Sequence, residues 1–224
     1  MKIAVQLAAS TVFGTIGLGA IVFLPAGTLN YWQGWAFIVI FMVVTIIPTV
    51  FLARTNPAAL RRRMHAGPRA EARMLQKFVV TGAFSSMFAM MAVSAYDHRV
   101  GWSQVPTWVC VLGDVLLAAG LGLAMLVVIQ NGYAASTITV ETGQTVVSTG
   151  VYRFVRHPMY FGDVIMMIGI PLSLSSYWGL VFVPLGVATL VSRILDEEKM
   201  LTQELSGYRE YTQRVRYRLL PYVW

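Results

Sequence analysis

Residues 161–193 read FGDVIMMIGIPLSLSSYWGLVFVPLGVATLVSR, with Asp163 and Arg193 as their only charges. One straight helix of that length would measure about 50 Å, whereas a bilayer's hydrocarbon core is about 30 Å thick. Pro171 and the run SLSSYWG interrupt the middle. The stretch therefore reads as a helical hairpin with arms at 161–174 and 178–193, entering and leaving by the same face. Each arm is about 21–24 Å long at 1.5 Å per residue, so length alone leaves a complete crossing open. Its consequence is spatial: Arg193 returns to the side where His157 begins.

Working outward, the upstream chain has apolar runs at 4–24, 33–52, 78–95 and 106–130, with Trp32 and Trp35 as interface anchors. The first run follows Lys2 without a small-residue cleavage site, and it reads as a retained helix. Between the second and third lies an Arg-rich loop with Arg54, Arg61, Arg62, Arg63, Arg69, Arg73 and Lys77 against Glu71 alone. With four spans and a hairpin, only Arg99 of the 17 lysines and arginines falls on the opposite side. By the positive-inside rule both termini and the 148–162 segment are expected to be cytosolic. The Arg61–63 run serves topology and anionic lipid contact.

Composition agrees. The 224 residues are 57% apolar and 12% charged, against about 25% charged in soluble domains. Strands of alternating polarity, as in a membrane β-barrel, are missing. The expected fold is all-α: a polytopic integral membrane bundle, with four transmembrane helices in residues 1–130 and a region at 131–224 holding the hairpin, cytosolic cofactor-binding segments and a tail. A short tail helix should run to about Leu205 and stop at Ser206-Gly207. The lone Cys110, in an apolar run, excludes an internal disulfide and a Cys-based zinc site and reads as a small buried hydrophobe. The net charge of +7 flanks apolar segments without an aromatic stacking platform, which argues against nucleic acid.

Three polar pieces converge on the cationic face: QTVVSTGVY at 144–152, RFVRHPMY at 153–160 and RILDEEKML at 193–201. Arg193 and Glu197 are four apart, on one helical face that Leu201, Leu205 and Tyr208 continue. Glu197 is thus expected to point inward, with Glu198 on its flank and Glu204 pointing away. An inward carboxylate needs a cation or a donor: Arg193, an arginine of 153–156, or a ligand. His157 precedes Pro158, which suits the first turn of a helix, so the imidazole sits beside free N–H groups. Tyr152 and Tyr160 add ring faces and hydroxyls. This set suits a zwitterionic ligand with an aromatic base.

TGVYRFVRHPMYFG, about thirty apolar residues, then RILDEEKML and YREYTQRVRYRLLP, resemble the isoprenylcysteine carboxyl methyltransferase family and the related phospholipid methyltransferases. The likeness covers roughly residues 140–221. It implies an S-adenosylmethionine-dependent methyl transfer, with a lipophilic or prenylated acceptor arriving from the bilayer and no metal. It further implies that Gln144, Thr145, Val146, Val147, Tyr152, His157, Pro158, Met159, Tyr160, Glu197 and Glu198 contact the cofactor. Arg193 would hold an acceptor carboxylate, and Arg193 and Glu197 would be the catalytic pair.

Carboxyl O-methylation of an isoprenylcysteine-like acceptor leads. Amine N-methylation of a phospholipid headgroup is the alternative, with Glu197 or Glu198 as base. A non-catalytic lipid-binding protein of the same fold would have little need for both His157 and Glu197. Reductase relatives using a nicotinamide cofactor usually have more spans than this chain. Elsewhere, Met87, Met90 and Met91 read as helix packing and Asp114 as an interfacial or cavity-facing carboxylate. Asp163 suits a helix N-terminus. His65 and His98 have no assigned role.

Overall fold

Every apolar run becomes a helix, because in hydrocarbon a backbone must bond to itself. The structure, a computed structural model, describes all residues except 1, 65, 66, 68, 70, 72, 135, 136, 138 and 142, and for 2–6 and 8 the backbone alone. His65 therefore lies outside the described residues. The described chain is all-α: α1 (Lys2–Ala26), α2 (Trp32–Thr55), α3 (Pro57–Met64), α4 (Met74–Val100), α5 (Thr107–Gln130), α6 (Pro158–Ser173), α7 (Val183–Glu204) and α8 (Tyr208–Arg214). Short 3-10 turns lie at Gly150–Arg153 and Trp178–Phe182. Among the described residues, five helices are long and apolar enough to cross a membrane. α6, at 16 residues, is shorter.

Two elements depart from the sequence reading. α3 forms inside the Arg-rich loop because Asn56 and Pro57 start a helix there: Asn56 Oδ1 accepts the Ala59 N–H at 3.1 Å. It is held by Ala59 and Leu60, which pack with Leu52 of α2 and Val128 of α5. The second arm of the hairpin also does not stop at Arg193. α7 continues unbroken to Glu204, because the Arg193 guanidinium is buried among protein groups. It ends where expected, with Gly207 at φ +80°, the left-handed conformation that glycine adopts freely.

The hairpin is real and reaches the opposite face. α6 ends at Ser173, and its apex is knotted to the end of α4 and the α1–α2 loop. Tyr31 donates to the Leu174 carbonyl at 2.6 Å. The fully buried Asp97 accepts from Ser176 Oγ at 2.5 Å, Ser103 Oγ at 2.6 Å and the Ser103 N–H at 2.7 Å. His98 stacks on Tyr31 at 3.9 Å, so it has a packing role there. Asp114 accepts from Ser173 across the α5–α6 seam. Met90 and Met91 are core and Met87 packs against them; Cys110 is buried.

α5 and α6 form the tightest helix pair, because glycines let the backbones meet. Gly113 and Gly120 of α5 are seven apart, as are Gly162 and Gly169 of α6. A Cβ on Gly120 would sit 2.5 Å from the Gly162 carbonyl oxygen, and one on Gly169 2.5 Å from the Leu117 nitrogen. No side chain can yield there, since the obstacle is backbone. Gly120→Val should lower stability by at least about 1–3 kcal/mol through overpacking, while Gly122→Val, at a glycine with open space around it, should cost far less. Thermal unfolding of both variants in detergent checks the contrast.

Candidate active site

The site forms where three segments of the cationic face are tied together by one carboxylate. Glu198 of α7 accepts from Arg156 Nε at 2.6 Å, Arg218 Nε at 2.8 Å and His157 Nε2 at 3.2 Å. A carboxylate only accepts, so the imidazole carries a proton on Nε2. Arg156 Nη1 also donates to the Val215 and Arg216 carbonyls, at 2.9 and 2.8 Å. The backbones join in parallel with this: Arg156 N–H donates to Tyr217 O and His157 N–H to Arg218 O, each at 2.9 Å. The 153–157 segment, α7 and the 215–218 segment thus become one wall.

Glu197 keeps the face assigned from sequence: it lines a cavity together with Leu201, Leu205 and Tyr208. Glu198, on its flank, is the more buried of the two and turns to the 156–157 and 218 segments. Glu197 Oε2 accepts from the Tyr160 hydroxyl at 2.6 Å. That hydroxyl in turn accepts from Arg193 Nε at 3.1 Å.

The cavity is partly open, with about 820 Å³ of space that includes open solvent. Gln144, Thr145, Val146 and Val147 line one edge, Tyr152, His157, Pro158, Met159 and Tyr160 the floor, and Glu197 faces in. Ten of the twelve residues singled out from the sequence therefore meet at one cavity; Glu198 and Arg193 stand behind its lining. Arg193 is buried, with Nη1 donating to Glu71 at 2.9 Å and to Gln76 at 3.0 Å. Gln76 also donates to Asp196 at 2.7 Å, and Arg73 donates to Asp196 at 3.1 Å.

Sequence reasoning missed Asn131, Tyr133, Tyr208 and Tyr211, which also line the cavity. Tyr208 and Tyr211 were legible as an aromatic pair just after the helix-stopping glycine. Tyr211 donates to the Tyr152 carbonyl at 2.7 Å, and Asn131 donates to the Tyr152 hydroxyl at 3.0 Å. Burial pushes the Tyr152 hydroxyl up to about 12, and it raises Tyr208 and Tyr211 as well. All three stay neutral at physiological pH. Arg62 of α3 holds the 131–147 edge in place, gripping Glu141 with two bonds of 2.6 and 2.8 Å and the Gly132 carbonyl at 3.1 Å.

Fold and site together define a polytopic helical membrane protein with a nucleoside-sized, tyrosine-lined cavity at one membrane face. Residues 108–209 match the model of the phospholipid methyltransferase family. Over those residues the chain is similar to the family of isoprenylcysteine-type and phospholipid-type membrane methyltransferases, the one the motifs resemble. A Delta(14)-sterol reductase of Mus musculus is 37% identical over 91 residues, 39% of this chain. The chain spans 22% of the length of that relative.

The two adjacent acids should respond differently to neutralisation. Glu198→Gln leaves two arginines facing a buried amide and should cost about 3–5 kcal/mol, whereas Glu197→Gln, facing open space, should cost under about 1 kcal/mol. Paired thermal melts in detergent test this, and the reverse order would return Glu197 to the structural position.

Proposed function

We propose that the protein is an integral membrane methyltransferase that takes its methyl from S-adenosylmethionine and passes it to a lipophilic acceptor from the bilayer. The observation that carries this reading is the cavity's donor and charge set. Five tyrosines, two methionines and the open Glu197 carboxylate line it, and among the described lining residues Arg156 is the only lysine or arginine. Its Nε and Nη1 donors are already on Glu198, Val215 and Arg216.

When bound, S-adenosylmethionine supplies an electrophilic methyl on a positively charged sulfur. The residues present fit such a cation-rich, phosphate-free molecule. Tyrosine faces attract a cation, Glu197 suits an ammonium, and the polar edge at 144–147 suits sugar and base edges. A phosphorylated dinucleotide needs arginines or lysines for its phosphates, and among the described lining residues Arg156 is the one arginine or lysine. Leu205, Tyr208 and Tyr211, part of one buried apolar cluster, line the cavity and would help to keep water from the nucleophile. The excess of cations on this face favours a cytosolic site.

Two acceptor classes follow from the family. A carboxylate on Arg193 would have to displace Glu71. An amine-bearing lipid headgroup needs no such exchange and finds carboxylates at hand, so the geometry supports it better. The carboxylate reading, isoprenylcysteine-like, retains one supporting contact: Arg193 Nε already reaches the cavity-lining Tyr160 hydroxyl, so an acid that replaced Glu71 would lie beside the donor.

The purified protein in detergent should bind S-adenosylhomocysteine, and Glu197→Gln should weaken that binding about tenfold or more, the loss of one charge-assisted bond, with its melting temperature kept. Absence of binding in the wild type would overturn the reading. Product methyls that survive base mark an amine acceptor, and base-labile ones a carboxyl ester.

A further inference from the structure

The Arg193 guanidinium divides its donors between two sets of groups. Nη1 donates to Glu71 at 2.9 Å and to Gln76 Oε1 at 3.0 Å. Nε donates to the Tyr160 hydroxyl at 3.1 Å, and that hydroxyl donates to Glu197 Oε2 at 2.6 Å. The first set is buried, with Glu71 5% and Gln76 0% exposed. The second lines the cavity. A continuous hydrogen-bonded path therefore runs from the 71–76 segment, through Arg193 and Tyr160, to the half-buried Glu197 carboxylate.

Each joint of the path is fixed by something outside it. Gln76 Nε2 donates to Asp196 Oδ2 at 2.7 Å, which turns the amide oxygen to Arg193. A guanidinium is a rigid planar fork, so holding Nη1 sets the direction of Nε. The Tyr160 ring lies nearly parallel to the His157 ring, at 5.6 Å and 21°, and His157 is itself bound to Glu198. An Nε–H cannot accept, so the Tyr160 hydroxyl proton has Glu197 as its destination. A hydroxyl that accepts from a cation also gives a stronger bond onward. With Oε2 held in this way, the Glu197 carboxylate presents Oε1 to a ligand in the cavity.

We propose that Arg193, held by Glu71 and Gln76, is a positioning residue for the cavity: through the Tyr160 hydroxyl it fixes the Glu197 carboxylate that meets a ligand ammonium. This rests on the methyltransferase reading above and adds to it a task for Arg193 that requires no contact with the acceptor. Glu71 and Gln76 precede the stretch at 108–209 that matches the methyltransferase family, so the hold on this cavity acid starts outside that stretch.

The test uses the full-length protein in detergent. It reads S-adenosylhomocysteine affinity and the NMR signal of the isotope-labelled ring carbon that bears the Tyr160 hydroxyl, assigned by its loss in Tyr160→Phe. Arg193→Lys keeps a cation opposite Glu71 but lacks the fork that serves both sets. It should weaken binding about fivefold, the worth of about one hydrogen bond, and shift the Tyr160 signal while that of Tyr31, bound to the Leu174 carbonyl at the far end of the hairpin, stays in place. Tyr160→Phe should weaken binding by a similar factor, and in that background Arg193→Lys should have no further effect. If the lysine variant fails to fold, Tyr160→Phe combined with Glu197→Gln decides: a combined loss well below the product of the two single losses supports the path, because coupled groups are not additive. Independent, multiplying losses, wild-type affinity in Tyr160→Phe, or an unmoved Tyr160 signal in Arg193→Lys would each overturn it. A wild type that does not bind S-adenosylhomocysteine would overturn the methyltransferase reading instead, and the response of the Tyr160 signal to Arg193→Lys would still decide the path.

Discussion

Glu198 is the constraint on which the site depends. A buried carboxylate is unfavourable unless donors surround it, and the donors to this acid of α7 come from two other segments: Arg156 and His157 before α6, and Arg218 near the chain's last residues. Satisfying one acid therefore fixes the relative positions of the two arms and the tail. The His157 ring is oriented by that bond and stacks near Tyr160 at 5.6 Å. The cavity wall inherits its shape from an ion cluster whose Arg156 and His157 reach the lining while Glu198 stands behind it.

The far end of the hairpin is held by a different device with the same logic. Asp97 collects donors from the α4–α5 loop and from the hairpin turn, so the apex cannot slide along the bundle. Between the two polar ends lies the α5–α6 glycine seam, where backbone meets backbone. Lipid gives no hydrophobic drive for helices to associate, so close packing and a few satisfied polar knots supply the specificity. Both knots lie near the ends of the hairpin, which lets the middle remain uniformly apolar.

Much of this was legible in the chain. The excess length of 161–193 announced the hairpin, and Ser206-Gly207 the end of α7. The proline after His157 marked the start of α6, and the motifs marked ten residues that share one cavity. The role of Glu198 was not legible, because its partners Arg156 and Arg218 are distant in sequence. The expectation for Arg193 as a ready carboxylate clamp also missed its neighbours, because Gln76 of α4 and Glu71 just before that helix reach it through packing that no local pattern announces. α3 was hidden inside a charge run whose buried face is only Ala59 and Leu60.

The matched stretch, 108–209, contains most of the cavity lining and Glu198. The partners that decide what Arg193 can do, Glu71 and Gln76, lie before it. The stretch thus carries an aromatic, acid-bearing hollow, while the groups that occupy Arg193 come from outside it. With Glu71 against it, Arg193 offers no net positive charge, so in the proposed reaction an amine acceptor fits better than the motif containing Arg193, read alone, would have it.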